Sequence, residues 1–501
     1  MTMELLLDVG DRHASVTKQE ADRIGILNDY VSVPYANGSS FASQFLYREF
    51  RARGHEVTIV GPQSPFARPE DLPERNVSLT SLPLRNHPGV YLSLPTRRAL
   101  NELVRARLSV VLGQTGSALM EAGVWLRNSQ AVPFLCVNTI HLPSVYNVLL
   151  PDGLCDTKVN RVFQDRVVPF IEQQSVRVYN QSDGLVVLSK GLERYWRERG
   201  VKVPIFVIPR AVDPAVFDRS DAVDPFPPGA KRGTRLLSVC RMTREKGVST
   251  LLEIFAKIVA RASREATLTL VGDGPDYDTF RSQARRLGVE GRVFFAGERV
   301  LTEIPAFMRH ADVFVYTSLS ETYGQVISEA QWCGLPVVAF ADDMGVSQQV
   351  EGGRTGCLVD PRRDGASFRF AKSVLRLLHD PAERQALAKC ARGEVEERSD
   401  PSRCIERYYE AFAAAREHLS RTMPSAKAIP RVTTDALARW TSVHLAAAAL
   451  GLVRPPAIVN RNGCRQPSWD RPLTGTPASR RSAATLRGGG PDDLQEGAKT
   501  G

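Results

Sequence analysis

SLSETYGQVISEAQWCGLPVVA, residues 318–339, decides the reading of this chain. The run before it, DVFVYT (312–317), has the β-branched and aromatic content of a strand, and LPVVAF (335–340) is a second strand. Between them a loop carries Glu321. A helix opens near Gly324, carries Glu329 and ends at Gly334. Seven residues separate the two carboxylates, so one stands just ahead of the helix N-terminus and the other about one and a half turns inside it. The unbonded N–H groups around Gly324, Gln325 and Val326, together with the helix dipole, favour an anion such as phosphate. Carboxylates beside such a site are not phosphate ligands; they accept hydrogen bonds from hydroxyls, which a sugar and a ribose both carry. Taken apart from this frame, Glu321 reads as a loop or capping residue and Glu329 as a solvated helix residue. Inside it, hydroxyl binding is the better reading.

The same alternation of short apolar runs and amphipathic segments extends in both directions. Toward the C-terminal half it includes the strands RLLSVC (235–240), TLTLVG (267–272) and RVFFAG (292–297), with helices at about 247–262, 275–287 and 324–333. Before it lie RIGIL (23–27), the helix SFASQFLYREFRARG (40–54), and HEVTIVG (55–61). LSVVLG (108–113), PFLCVN (133–138), GLVVLS (184–189) and IFVIP (205–209) continue the series. This is the rhythm of parallel sheets covered by helices on both faces. DRSDAVDPFPPGAKRGT (218–234) interrupts it with proline, glycine and charge. The expected organisation is an N-terminal extension (1–22), a Rossmann-like domain (23–217), a linker (218–234) and a second such domain (235–400). A helix at 401–420 and a tail at 421–501 follow. The tail's Ala, Pro, Ser, Gly and Arg content predicts disorder, with one amphipathic helix at 436–452 as its only patterned stretch.

The 501 residues suit two domains and an appendage. The eight cysteines fall at no metal-binding or redox spacing, which predicts free thiols in a reducing compartment. The longest apolar run, LAAAALGLV (445–453), is too short to span a bilayer, and the start lacks the basic region of a signal peptide. The expected location is cytoplasmic, soluble or peripheral at a membrane. Net charge is +10, but residues 421–501 carry 12 Lys+Arg against 5 Asp+Glu, and the other 420 residues carry a surplus of only 3. The excess lies in a tail with few aromatics, so no specific nucleic-acid partner is expected.

Other segments place chemistry at strand ends, where open α/β sheets bind ligands. In SVCRMTREKGVSTLLEIF (238–255), Arg241 and Lys246 follow a strand and Gly247 opens a helix. Two cations there suit a pyrophosphate, whose charge grows as a bond to it breaks; the bland alternative is a solvated basic loop. In LTLVGDGPDYD (268–278), Gly272 and Gly274 allow close backbone approach. Asp276 and Asp278 read better as acidic residues of a helix first turn than as metal ligands. In PYANGSSFASQF (34–45), Asn37, Gly38 and Ser39 form either a donor-rich turn facing a ligand or a capped helix start. In CVNTIHLPSVYN (136–147), His141 follows a strand end and faces the expected cleft, although a lone histidine is more often structural.

Together these residues resemble glycosyltransferase family 4, of the GT-B fold, over about 23–420. The resemblance is most specific at Glu321–Glu329 with AQWCGLPVVA, then at RMTREKG (241–247), VGDGP (271–275) and the segment 34–62. It implies two doubly wound domains facing across a cleft, and retaining transfer from a nucleotide-sugar without a metal or other cofactor. By similarity, Arg241 and Lys246 would hold the donor diphosphate and Glu329 the ribose. Glu321 would take hydroxyls of the transferred sugar, and His141 would lie near the reacting face. The segment Thr322, Tyr323, Gly324, Gln325 and Val326 would contact sugar and phosphates, through its backbone at Tyr323–Val326. The turn after Gly297 would cradle the base, and the helix after residue 400 would cross back to brace the first domain. The chain departs from the family at Asn37-Gly38, where a Gly-Gly pair is usual, and at Thr322-Tyr323, where a small residue and Phe are usual.

The donor is expected to be a UDP- or GDP-sugar, and the acceptor a sugar, a lipid or another small molecule of the cell envelope. KGLERYWRERG (190–200) is either a basic, aromatic-bearing surface for weak contact with an anionic membrane or an ordinary solvated helix. The competing functions are another enzyme on this fold, such as a nucleotide-sugar epimerase or a sugar phosphorylase, and a non-catalytic nucleotide-sugar binder. The first pair would need further cleft acids and bases or a cofactor lysine; the last is disfavoured by the retained Glu321, Glu329, Arg241 and Lys246.

Overall fold

The computed structural model describes residues 21–31, 38–63, 72–83, 91–93, 96–114, 119–139, 161, 165–166, 168–219, 223–261, 265–319, 321–423 and 469. Two parallel sheets dominate them. The first contains β1 (Arg23–Leu27), β2 (Glu56–Pro62), β3 (Asn76–Leu79), β6 (Val110–Gly113), β7 (Phe134–Val137), β8 (Gly184–Val187) and β9 (Ile205–Val207), in the spatial order β3-β2-β1-β6-β7-β8-β9. Beside it, β4 (Ser81–Pro83) and β5 (Tyr91–Ser93) form an antiparallel pair. Its helices are α1 (Gly38–Ala52), α2 (Arg97–Arg105), α3 (Leu119–Gln130), α4 (Val168–Tyr179) and α5 (Lys190–Glu198); α6 (Pro214–Phe217) leads out of it.

The second sheet contains β10 (Thr234–Val239), β11 (Ala266–Val271), β12 (Val293–Gly297), β13 (Val313–Tyr316), β14 (Val337–Phe340) and β15 (Gly356–Val359), ordered β12-β11-β10-β13-β14-β15. Its helices are α7 (Val248–Val259), α8 (Tyr277–Arg286), α9 (Ile304–His310), α10 (Gln325–Trp332), α11 (Ala366–His379) and α12 (Pro381–Arg398). In both sheets the winding reverses about a central pair, β1/β6 in the first and β10/β13 in the second. These are the points where crevices open beyond the strand ends. Helices cover both faces, so the central strands read as continuous apolar runs: Ile24, Ile26 and Leu27 are inaccessible, and so are Val313, Phe314 and Val315.

The chain returns to the first sheet through α13 (Pro401–Thr422). Asp400 caps this helix and Pro401 starts it, a pairing that sets its beginning. Its inner face, including Tyr408 and Phe412, packs on Phe50 of α1, with ring centroids 6.1 and 5.7 Å away. At its far end His418 meets the inaccessible Asp183 carboxylate, which also takes Arg127 at 2.8 Å and the Phe134 N–H at 3.0 Å. A buried carboxylate is tolerable only with such partners.

The sequence expectation for the tail is modified at one position. Trp469 is buried in the core of the first sheet, edge-on to Tyr47 at 5.6 Å, and its indole N–H donates to the Val31 carbonyl at 3.2 Å. The predicted helix at 436–452 and the rest of the tail lie outside the described residues, as do residues 1–20. Six cysteines among the described residues are free; Cys136, Cys357 and Cys404 are buried and Cys390 is exposed. No helix among the described residues is long and apolar enough to cross a membrane.

Candidate functional site between the two sheets

The two crevices face one another and form a single cavity of about 330 Å³, with walls from both halves of the chain. The second sheet contributes the loops after its reversal pair. The loop after β10 carries Arg241 and Lys246, and the loop after β13 carries Glu321. Gly247 clamps them together: its φ is 69°, and a Cβ there would lie 2.5 Å from the Thr317 carbonyl oxygen. The Thr317 hydroxyl in turn donates to the Gly247 carbonyl at 2.9 Å. Only glycine fits this left-handed, crowded position.

Glu321 is held by three donors on one oxygen. Its Oε1 accepts from Lys246 Nζ at 2.5 Å, from the Tyr316 hydroxyl at 2.7 Å and from the Ser318 hydroxyl at 2.7 Å. Burial would raise this carboxyl, but Lys246 and the two hydroxyls outweigh it and hold it below the usual carboxylate range. The same burial, reinforced by Glu321, pushes the Tyr316 phenol well above its ordinary value, so it stays a donor. Lys246 has three N–H bonds, and one directed at Glu321 leaves two for another anion. Arg241 is exposed on the cavity wall.

The wall continues into α10. Gly324, at φ 77°, precedes the helix as an N-cap with no side-chain hydrogen bond; the Ile327 N–H turns back to the Gly324 carbonyl at 2.8 Å, and the N–H groups of Gln325 and Val326 stay uncapped. Gln349 fixes the approach, its side-chain amide donating to the carbonyls of Tyr323, Gly324 (3.3 Å) and Gly345 (3.2 Å). Gln325 donates to the Ala211 carbonyl at 3.1 Å and so ties α10 to the exit of the first sheet. Glu329 lines the cavity one turn further in. Burial raises its carboxyl to about 7, against the opposing pull of Arg210 and a hydrogen bond from Gln325.

Of the residues singled out in the sequence, Gly38, Arg241, Lys246, Gly272, Glu321, Gly324, Gln325, Val326 and Glu329 share this cavity. Others do not line it. The Tyr323 side chain is buried with the core of the first sheet, its hydroxyl lies 3.2 Å from Ser399 Oγ, and its carbonyl is taken by Gln349. The Thr322 hydroxyl donates to the Thr139 carbonyl at 3.3 Å, across to the first sheet. Ser39 is buried, its hydroxyl 3.4 Å from the Gln114 carbonyl. Gly274 admits the chain itself: a Cβ there would meet the Met242 carbonyl at 2.4 Å, as one on Gly272 would meet the Cys240 carbonyl at 1.9 Å. Gly297, at φ 71°, ends β12, and the next two residues, Glu298 and Arg299, line the cavity. Asp276 sits at the N-cap of α8 and accepts the Arg244 N–H at 3.1 Å; Asp278 is in the first turn. Asn37 and His141 lie outside the described residues.

Two polar cavity residues and one apolar strip stand out among those not singled out in the sequence. Tyr316 and Arg210 stand at or just beyond the ends of β13 and β9, where the strand-end rule could have found them. The third element is an apolar strip of α1: Phe41, Ala42 and Phe45 are partly exposed to the cavity. At 190–200 the aromatic side chains are already committed. Trp196 is fully buried, and the Tyr195 hydroxyl bonds Glu172 while its ring carries the Arg199 guanidinium at 3.4 Å. That surface therefore offers charge without a free aromatic anchor.

Comparisons with known proteins agree with this geometry. The family profile described as "Glycosyltransferase Family 4" matches residues 37–216, and "Glycosyl transferases group 1" matches 224–394. The alpha-monoglucosyldiacylglycerol synthase of Streptococcus pneumoniae is 24% identical over 331 residues, 64% of this chain and 71% of that protein. The D-inositol 3-phosphate glycosyltransferase of Corynebacterium jeikeium is 26% identical over 328 residues, 61% of this chain and 70% of its own. The crystal structure of Anabaena HepE in complex with UDP-glucose superposes with a TM-score of 0.59 at 20% identity, covering 78% of this chain and all (100%) of that one. At that identity the superposition speaks for the fold.

Proposed function

This chain belongs to the group 1 / family 4 glycosyltransferases of the GT-B fold, and from that premise we propose that it moves a sugar from a UDP-sugar to a hydroxyl of a lipid-bearing acceptor. It is a retaining enzyme that draws on a nucleotide-sugar donor. The observation that carries the reading is the convergence of Arg241, Lys246 and the uncapped start of α10 on the wall that also holds Glu321 and Glu329.

The chemistry follows from those positions. As the glycosidic bond breaks, negative charge collects on the departing nucleoside diphosphate. Arg241, the two remaining Lys246 N–H bonds and the α10 N–H groups are placed to stabilise that charge without moving. Glu321, with Oε1 saturated, presents Oε2 to hydroxyls of the transferred sugar, and Glu329 accepts from the ribose. Because protein cations meet the diphosphate charge, turnover is expected in the presence of EDTA. The choice of UDP is supported by the UDP-glucose bound to the structurally similar HepE. The lipid-bearing acceptor is supported by Phe41, Ala42 and Phe45 on the cavity wall, and by the relative named as a diacylglycerol-based synthase.

The test is a thermal-shift titration with UDP, GDP and ADP in EDTA, followed by transfer assays. UDP should raise the melting temperature by mass action, and Arg241→Ala should abolish the rise. UDP-sugars should then label diacylglycerol or glycolipid in vesicles in preference to soluble inositol phosphate. A rise with GDP alone would replace the donor, and a rise with no nucleotide at all would remove the donor reading.

A further inference from the structure

The first sheet also sends a cation into the cavity. Arg210 follows β9, on the side opposite Arg241 and Lys246. Its Nη1 donates to the Gly38 carbonyl at 2.9 Å, and its Nε is inaccessible and has no hydrogen-bond partner among the described residues. No carboxylate among the described residues forms an ion pair with it, and the groups whose fields reach it are Tyr408, Glu329, Tyr323 and Glu321. Burial pulls the guanidinium below its ordinary value, yet arginine stays charged in proteins. A half-buried charge on a cavity wall, with no carboxylate beside it and one N–H unspent, is well placed to take an anion. The neighbouring backbone is tied to the start of α10 by the Gln325–Ala211 hydrogen bond, so the segment that carries Arg210 is held against that helix, and Arg210, Gln325 and Val326 line the same cavity.

We propose that Arg210 is the third cation of the donor-diphosphate site, so that the diphosphate bridges the two sheets. The inference rests on the nucleotide-donor reading and adds to it. Arg241 and Lys246 belong to the second sheet and would hold the diphosphate there whether the cleft is open or closed. Arg210 engages only when the first sheet stands over the ligand. The diphosphate then contributes directly to closure, and a donor shortened to a monophosphate loses that contribution.

The experiment measures UDP and UMP affinities by isothermal titration for the wild type and for Arg241→Ala, Arg210→Ala, Arg210→Lys and Arg210→Gln. Melting temperatures without ligand serve as the folding control. Arg210→Ala and Arg210→Gln should each weaken UDP by about tenfold while changing UMP much less, so the UDP-to-UMP ratio falls. Arg210→Lys should recover most of the loss, because it keeps the charge. Glutamine keeps a donor for the Gly38 carbonyl without charge; if it binds UDP like the wild type while lysine does not, Arg210 only braces α1 and the inference fails. Normal UDP binding by Arg210→Ala beside a weakened Arg241→Ala overturns the inference and leaves the donor reading standing. Absence of UDP binding by the wild type overturns both.

Discussion

Glu329 carries the sharpest consequence at the scale of a single residue. Its carboxyl is raised to about 7 by burial, so near neutral pH it is divided between an acid and a carboxylate. The ionised form accepts from both ribose hydroxyls, whereas the acid spends one oxygen as a donor. UDP affinity should therefore rise with pH through about 7. It should be up to about tenfold weaker one unit below that point, set by the ionised fraction. Glu329→Gln should flatten the profile to the baseline of the nucleotide's own phosphate ionisation, near pH 6. Stability runs the other way. The folded carboxyl binds its proton more tightly than the unfolded one, so its contribution is complete below about 4.5 and is lost as pH rises toward 7. Titration calorimetry and melting curves from pH 5.5 to 8.5 read both trends; parallel slopes for the wild type and Glu329→Gln would show that Glu329 does not titrate in the site.

At the scale of elements, the two halves meet where α5 begins. The Lys190 N–H donates to Gln348 Oε1 at 2.9 Å, and a Cβ on Gly191 would lie 2.6 Å from the Asp343 carbonyl and 2.9 Å from Met344 Cα. Both neighbours are backbone, so Gly191→Ala must part the two sheets. Transfer should fall by about tenfold or more, equivalent to about 1.4 kcal/mol of barrier, while UDP affinity should fall by no more than the about tenfold that losing Arg210 costs, because Arg241 and Lys246 stay with the second sheet. Gly393→Ala is the control: it stands in α12 with open space around it and should be neutral or gain up to about 1 kcal/mol of helix propensity. Loss of transfer in both variants would remove the interface argument. The elements legible in the sequence were those with their own periodicity and length. RIGIL is β1 residue for residue, and the strands at the heart of both sheets fall within about two residues of their predicted ends. β15, β3 and the β4–β5 pair were not foreseen. Each has three or four residues, with Gly, Ser, Pro or Asn among them in every case, and exists through pairing, as Gly356 does with Val337. The site divided in the same way. Glu321, Glu329, Arg241 and Lys246 stand in local frames that announce them, whereas Tyr316 and Arg210 are marked only by their places at strand ends: Tyr316 gains its role from Glu321, five residues on, and Arg210 meets Gly38 only across the fold.

At the scale of the molecule, the chain is closed by contacts that no local pattern encodes. α13 returns to the first sheet, and Trp469, 47 positions beyond its end, reaches the same core. Its ring lies against Tyr47, whose hydroxyl accepts from Arg51 at 2.7 Å, and its N–H bonds the Val31 carbonyl at the end of the β1 loop. A fully enclosed indole of this kind is part of the packing of the first sheet. Replacing Trp469 by Ala should cost about 3–5 kcal/mol. Trp469→Phe keeps most of the ring volume but leaves the buried Val31 carbonyl without its donor, so it should cost a smaller amount, about 1–3 kcal/mol. Because the second sheet keeps all its contacts, the loss should appear in denaturant titrations as an earlier transition of the first sheet, with a later one unchanged. UDP, bound mainly to the second sheet, should move the later transition more than the earlier one. The two substitutions order the interpretation: equal, negligible losses would mean that Trp469 does not occupy the core in solution, and equal, large losses would assign the stabilisation to the N–H bond in place of the packed ring.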